Sequence, residues 1–88
     1  MPDPAHPHMF RVLLFGAEAQ HAGRPTVDVP HEGPIAAAAL RALVAETVPT
    51  LTGRLDRCRV AVNHEFVGDA HMVVHGDEVA LIGAVAGG

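Results

Sequence analysis

The stretch GPIAAAALRALVAETVP, residues 33–49, decides how this chain can fold. Gly33-Pro34 suits the start of a helix, with proline in its first turn, and Pro49 forbids continuation beyond Val48. Ile35, Ala39, Leu40, Leu43 and Val44 recur at helical spacing and leave Arg41 and Glu46 off the stripe. An alanine run of this kind can serve a helix–helix or membrane contact, but it equally lets a helix sit close to a sheet. The segments on either side of it read as strands, so the sheet is the expectation.

Upstream, MFRVLLFG (residues 9–16) sets Phe10, Val12 and Leu14 on one side and Arg11, Leu13 and Phe15 on the other. Such a strand is apolar on both faces and belongs near the centre of a sheet. PTVDVP (25–30) places Val27 and Val29 one way and Thr26 and Asp28 the other, a short strand with one wet side. The connection between them, GAEAQHAGR, is too long for a two-residue hairpin turn and has room for a single helical turn.

Downstream, RVAVN (59–63) predicts a strand with Val60 and Val62 on one face, and NHE turns the chain into a short FVG. A Gly76-Asp77 turn then leads into VALI (79–82), where Val79 and Leu81 share one face and Ala80 and Ile82 the other. The order strand, strand, helix, strand, short strand, strand is an α+β arrangement. A right-handed crossover lets the first and last strands lie parallel in the middle. Periodicity alone shows only α+β; with that crossover the topology is a β-grasp, a mixed four- to five-stranded sheet covered on one face by one main helix. The expected domain is 9–82, between a proline-rich flexible tail (1–8) and a flexible tail (83–88) that ends in Gly87-Gly88.

Eighty-eight residues allow one small core, built from Val, Leu, Ala and Ile because there is no Trp or Tyr and only three Phe. All six basic residues are arginine, against ten acids, for a formal charge of −4. This balance argues against nucleic acid as a partner, which would require a basic face. Without lysine the chain offers no side-chain amine for an isopeptide or a Schiff base. No segment reads as a signal peptide or membrane helix, so the cytoplasm, with no membrane partner, is the expectation. The single Cys58 reads as a small core residue and cannot form an internal disulfide.

RVLLFG at the start, VAVNHEFV in the middle and GDEVALIGAVAGG at the end resemble, in order and spacing, the ubiquitin-like sulfur carriers. Within them the chain is most similar to the small subunits of molybdopterin synthase, and the resemblance spans residues 9–88. GDEV followed by a terminal VAGG is its most specific part, and AVN before a turn is the next. The chain departs from the family's pattern at Gly83 and Ala84, where many members carry two prolines, at His75, where an Asp is common, and in its first eight residues.

The resemblance implies a chemistry for the terminus. An adenylating, E1-like partner uses ATP to activate the Gly88 carboxylate, and a sulfur-donating persulfide protein helps convert it to a thiocarboxylate. The loaded terminus then serves a large catalytic subunit in molybdopterin (molybdenum cofactor) synthesis. This chain would be the non-catalytic sulfur-donor subunit, with the catalytic residues on its partner. Two glycines suit that role, because residues without Cβ let a partner's walls close on the backbone. Gly88 is thus the reacting residue, and Gly83, Ala84, Val85, Ala86 and Gly87 are the arm that enters the partner. No phosphate-binding glycine loop with lysine is present, so no cofactor is expected on this chain, the ATP belongs to the partner, and the sulfur is carried covalently at Gly88.

Strand parity proposes the docking surface. If Phe10, Val12, Leu14, Val79 and Leu81 point at the helix, Leu13, Phe15, Ala80 and Ile82 point outward. Phe66 joins them at a position matching the family's exposed apolar patch. The seven histidines show no ligand spacing, so no metal is expected and His6-Pro7-His8 reads as solvated. Asp69, Asp77 and Glu78 read as turn residues rather than a catalytic pair. Two alternatives share the terminal chemistry, a carrier for thiazole (thiamin) synthesis or another sulfur transfer, and a ubiquitin-like protein modifier. A third is a β-grasp binding module whose Gly-Gly is idle.

Overall fold

A computed structural model describes residues 9–83, so the expected tails at 1–8 and 84–88 lie outside the described residues, while Gly83 lies within them. The main sheet has five strands, β1 (Met9–Leu14), β2 (Thr26–Pro30), β4 (Arg59–Val62), β5 (Glu65–Val67) and β7 (Val79–Ile82), in the order β2-β1-β7-β4-β5. β1 and β7 pair in parallel, Val12 opposite Val79 and Leu14 opposite Leu81. The pairs β1–β2, β4–β7 and β4–β5 are antiparallel, which makes the sheet mixed as expected.

Alternation along the strands builds the core. Phe10, Val12, Leu14, Val27, Val29, Val60, Val62, Val79 and Leu81 are all buried on the face covered by the helix α2 (Ala37–Thr47). The helix answers with Ala37, Leu40 and Val44, and Leu51 and Leu55 close the layer from two short 3-10 turns, Pro49–Leu51 and Leu55–Arg57. Cys58 is buried beside them, with Sγ 3.9 Å from the Arg54 carbonyl. Burial pushes the thiol's pKa up, helped by the nearby Glu18 charge and opposed by Arg41, so the sulfur stays protonated and inert.

Three local expectations are corrected. The helix begins at Ala37, because Ile35–Ala36 forms a short strand, β3, paired with Met72–Val73, β6. Ile35 is buried from that strand rather than from the helix, and Ala39 is exposed. With no side chain capping this helix start, the Ala37 and Ala38 N–H groups donate to the carbonyls of His71 and Asp69 at 2.8 and 3.0 Å. The connection after β1 holds two helical turns, α1 (Gly16–Ala22), where one was expected. It ends on Gly23 at φ 74°, whose N–H reaches the Ala19 carbonyl at 2.9 Å, a left-handed cap that glycine adopts without steric cost.

Leu81 is fully buried under the helix and its neighbour on the other face of the sheet, Leu13, is half-buried. Leu81→Ala is expected to lower unfolding free energy by about 3 kcal/mol through the cavity it leaves, and Leu13→Ala by about 1 kcal/mol or less, in urea denaturation followed by circular dichroism.

Candidate functional site

The sheet face turned away from α2 carries an apolar groove of about 260 Å³. Leu13 of β1, Ala80 and Ile82 of β7 and Ala61 of β4 lie along it, in adjacent strands and at matching register. Leu13 pairs with Ala80, and Ala80 with Ala61, so two alanines sit at the centre. Small side chains there keep the groove low in the middle. Phe15, just past β1, and Phe66, on β5, rise at the sides, each 51% exposed.

Each wall is held by its own local structure. Phe66 reaches its place through a two-residue hairpin in which Asn63 and His64 both take positive φ, 51° and 71°. That turn twists with the strands, and it sets Phe66 opposite Ala61. The Arg59 guanidinium carbon then lies 3.9 Å from the Phe66 ring centroid, a cation–π contact that covers the ring from one side. Phe15 occupies the N-cap position of α1 in extended conformation, which turns its side chain away from the core.

The groove's polar rim is His64 and Glu78, with Nε2 and Oε2 2.6 Å apart. A network below it binds the hairpin to the turn before β7. Asn63 Nδ2 donates to Asp77 at 3.1 Å, Asn63 Oδ1 accepts from the Glu78 N–H at 2.9 Å, and the Asn63 N–H donates to the Glu78 carbonyl at 2.8 Å. Asp77 also accepts from the Val74 N–H at 2.9 Å. The Val74 N–H first, and then Asn63, hold the Asp77 carboxyl below the usual range by stabilising its charged form.

At the end of β7 the surroundings change. Ile82 faces the apolar groove, while Gly83 lines a polar hollow with Glu18, Gly53, Arg54, Arg57 and Cys58. The Glu18 carboxylate lies where a Cβ on residue 83 would stand, so a larger residue there requires the Glu18 side chain to swing aside. Arg41, off the predicted helical stripe, is a tie rather than a site residue. It donates to the Cys58 carbonyl at 3.1 Å and lies 3.3 Å from Asp69.

Of the residues expected from the sequence, Leu13, Phe15, Phe66 and Ile82 come together in the groove and Gly83 lies just beyond it. Ala84, Val85, Ala86, Gly87 and Gly88 lie outside the described residues. Ala61, His64 and Arg59 were not expected at the site, and Glu78 was read only as a turn residue. Parity along RVAVN points to Ala61, but the contacts of His64, Glu78 and Arg59 are cross-strand and carry no local signal. Among the described residues no three His, Cys, Asp or Glu side chains converge as for a metal ion, and no helix is long and apolar enough to cross a membrane.

A helix-covered mixed sheet with parallel central strands and an open apolar face is the β-grasp of the ubiquitin-like sulfur carriers. The chain belongs to the ThiS family, whose model matches residues 12–88. Among curated proteins none matches the chain. Among solved structures it is similar to small archaeal modifier protein 1 (SAMP1) from Haloferax volcanii, with 27% identity over 91% of this chain and 99% of that one and a TM-score of 0.80. It shares its fold with SAMP1 from Methanosarcina acetivorans, at 18% identity over 92% and 99% and a TM-score of 0.73. The same fold occurs in a complex of subunits 1 and 2 of the molybdopterin-converting factor from Helicobacter pylori, at 23% identity over 91% and 99% and a TM-score of 0.64.

Asp77 joins the hairpin to the last turn more strongly when charged, so its folded pKa lies below its unfolded one. Its contribution is therefore complete above the ordinary carboxyl value of about 3.9 and is lost as pH falls through the lower folded value. Asp77→Ala is expected to lower stability by about 1 kcal/mol or less near neutral pH, because the site is exposed, and by progressively less below about pH 4. Denaturant midpoints of both proteins along a pH series measure this, and a difference that grows toward acid would contradict the assignment.

Proposed function

We propose that the chain is a sulfur carrier for molybdopterin synthesis that works through the carboxylate of Gly88. The supporting observation is the apolar groove that ends at Ile82, one residue from the start of the arm, in a chain whose family match runs through Gly88. An open apolar face of this kind on a small domain serves partner docking. Docking is needed, since ordering the arm costs about 1–2 kcal/mol for each backbone residue fixed.

The chemistry follows from the carboxylate. One of its oxygens attacks the α-phosphate of ATP on an adenylating partner, and pyrophosphate leaves. The resulting acyl adenylate is an electrophile, and a sulfur nucleophile that attacks its carbonyl carbon expels AMP. With hydrosulfide this gives the thiocarboxylate directly; with a persulfide donor a thiol must afterwards cleave the acyl disulfide. The thiocarboxylate then delivers sulfur inside a large subunit, the partner class suggested by the two-subunit complex from Helicobacter pylori. A second reading, attachment of Gly88 to amines of other proteins, is favoured by the modifier named among its structural relatives. Both start from the same adenylate.

Intact mass spectrometry of the protein from its own cells tests the proposal. One oxygen replaced by one sulfur at Gly88 is the expected result, and its disappearance on deletion of Gly88, with loss of molybdenum-cofactor synthesis. Covalent adducts to other proteins support the modifier instead. Phe66→Ala is expected to weaken docking on the adenylating partner by roughly tenfold, about 1.4 kcal/mol, without unfolding the domain. Cofactor synthesis that survives deletion of Gly88 would overturn the reading.

A further inference from the structure

Three of the chain's six arginines gather where β7 ends. Arg59 of β4 stands opposite Ile82, the last residue of β7. Arg54 and Arg57 line the polar hollow of about 340 Å³ that Gly83 also lines, together with Glu18, Gly53 and Cys58. In a chain of formal charge −4, these guanidinium groups make the surroundings of Gly83 unlike the rest of the surface.

Local structure puts Arg54 and Arg57 side by side. Leu55–Arg57 is a 3-10 turn with Arg54 at its N-cap, and in that geometry side chains three apart lie one above the other. Leu55 and Cys58 are buried and fix the turn to the core, while Arg54 and Arg57 are exposed. Asp56 points from another side of the turn and does not line the hollow. Arg11 and Arg41 are spent on Asp28 and Asp69, but among the described residues no carboxylate forms an ion pair with Arg54 or Arg57.

We propose that Arg54 and Arg57 receive carboxylate side chains of the adenylating partner, a docking site that rests on the sulfur-carrier reading of Gly88. A guanidinium presents a planar fork of donors that matches the two oxygens of a carboxylate, so paired arginines fit acidic side chains fixed on a protein surface. A free small anion fits less well, because Glu18 shares the hollow and both arginines are open to water, where a lone ion pair is weak. The apolar groove ends at Ile82 and the hollow begins at Gly83, so one partner surface spans both. The groove supplies the burial, and the arginines set the orientation. An acidic partner is repelled by the acidic remainder of the chain and approaches at this end, where Arg59, lying over Phe66, adds a third positive charge.

Initial rates of pyrophosphate release test the site, with the purified E1-like protein of the same cells, ATP, and the full chain as the varied substrate. The double variant Arg54→Gln/Arg57→Gln is expected to raise KM by about tenfold or more and to leave kcat within about twofold, because the reacting carboxylate is untouched. Raising KCl from about 0.05 M to about 0.5 M should raise the parent's KM several-fold and that of the Gln variant little, a difference that a merely structural role of the arginines would not produce. Arg54→Lys/Arg57→Lys keeps the charge and should keep the salt dependence. Both side chains are exposed, so equal melting temperatures are expected for all three proteins. A KM unchanged in the Gln variant, or raised with the parent's salt dependence intact, overturns the arginine site and leaves the carrier reading standing; inorganic phosphate bound by the parent in that case assigns the hollow to a free anion. A parent chain that releases no pyrophosphate overturns the carrier reading and this proposal with it.

Discussion

The parallel pairing of β1 with β7 is the constraint on which the rest of the structure depends. It sets two strictly alternating strands side by side in the middle of the sheet, Val12 against Val79 and Leu14 against Leu81. Their inner side chains are covered by α2, the longest helix among the described residues. Their outer side chains, Leu13, Ala80 and Ile82, then fall in one row with nothing from the described residues laid across them. The same direction of β7 carries the chain out of the sheet beside Phe15. The groove and the place of Gly83 at its end are consequences of one pairing.

The hairpin of β4 and β5 adds what the central strands lack. Residues in the left-handed region are uncommon unless they are Gly, Asn, Asp or His, and this turn uses Asn63 and His64 there. Asn63 uses its side chain as well, to join the turn before β7 through Asp77 and Glu78. That linkage holds the second aromatic wall of the groove at a fixed distance from β7. Phe66 gains a further contact from Arg59, whose stem and guanidinium lie on the exposed sheet face.

Much of this was legible in the residues. Period-two alternation marked both central strands and the direction of their side chains, because burial of one face leaves a hydrophobic signature that survives in any register. Proline placed the end of α2 correctly, as it cannot donate in the helix interior. The start of α2 was misplaced because Gly33-Pro34 is as compatible with a turn into a strand, and the pairing partner of Ile35 is Val73, far along the chain. The second turn of α1 was missed because a seven-residue segment is too short to hold a helix by its own propensity, even with three alanines.

By itself the sequence determined the inside and the outside: which residues alternate, where proline and glycine interrupt, and that lysine is absent while the chain ends in two glycines. These are properties of single residues and their spacing, and they need no partner to be read. Only the tertiary structure decided what meets what. It set Ala61 and Ala80 at the floor between two phenylalanines, Glu18 against Gly83, and the rings of His31 and His75 against Phe10. Each of those contacts joins residues distant in the chain, through hydrogen bonds and packing that exist only once the strands are in register.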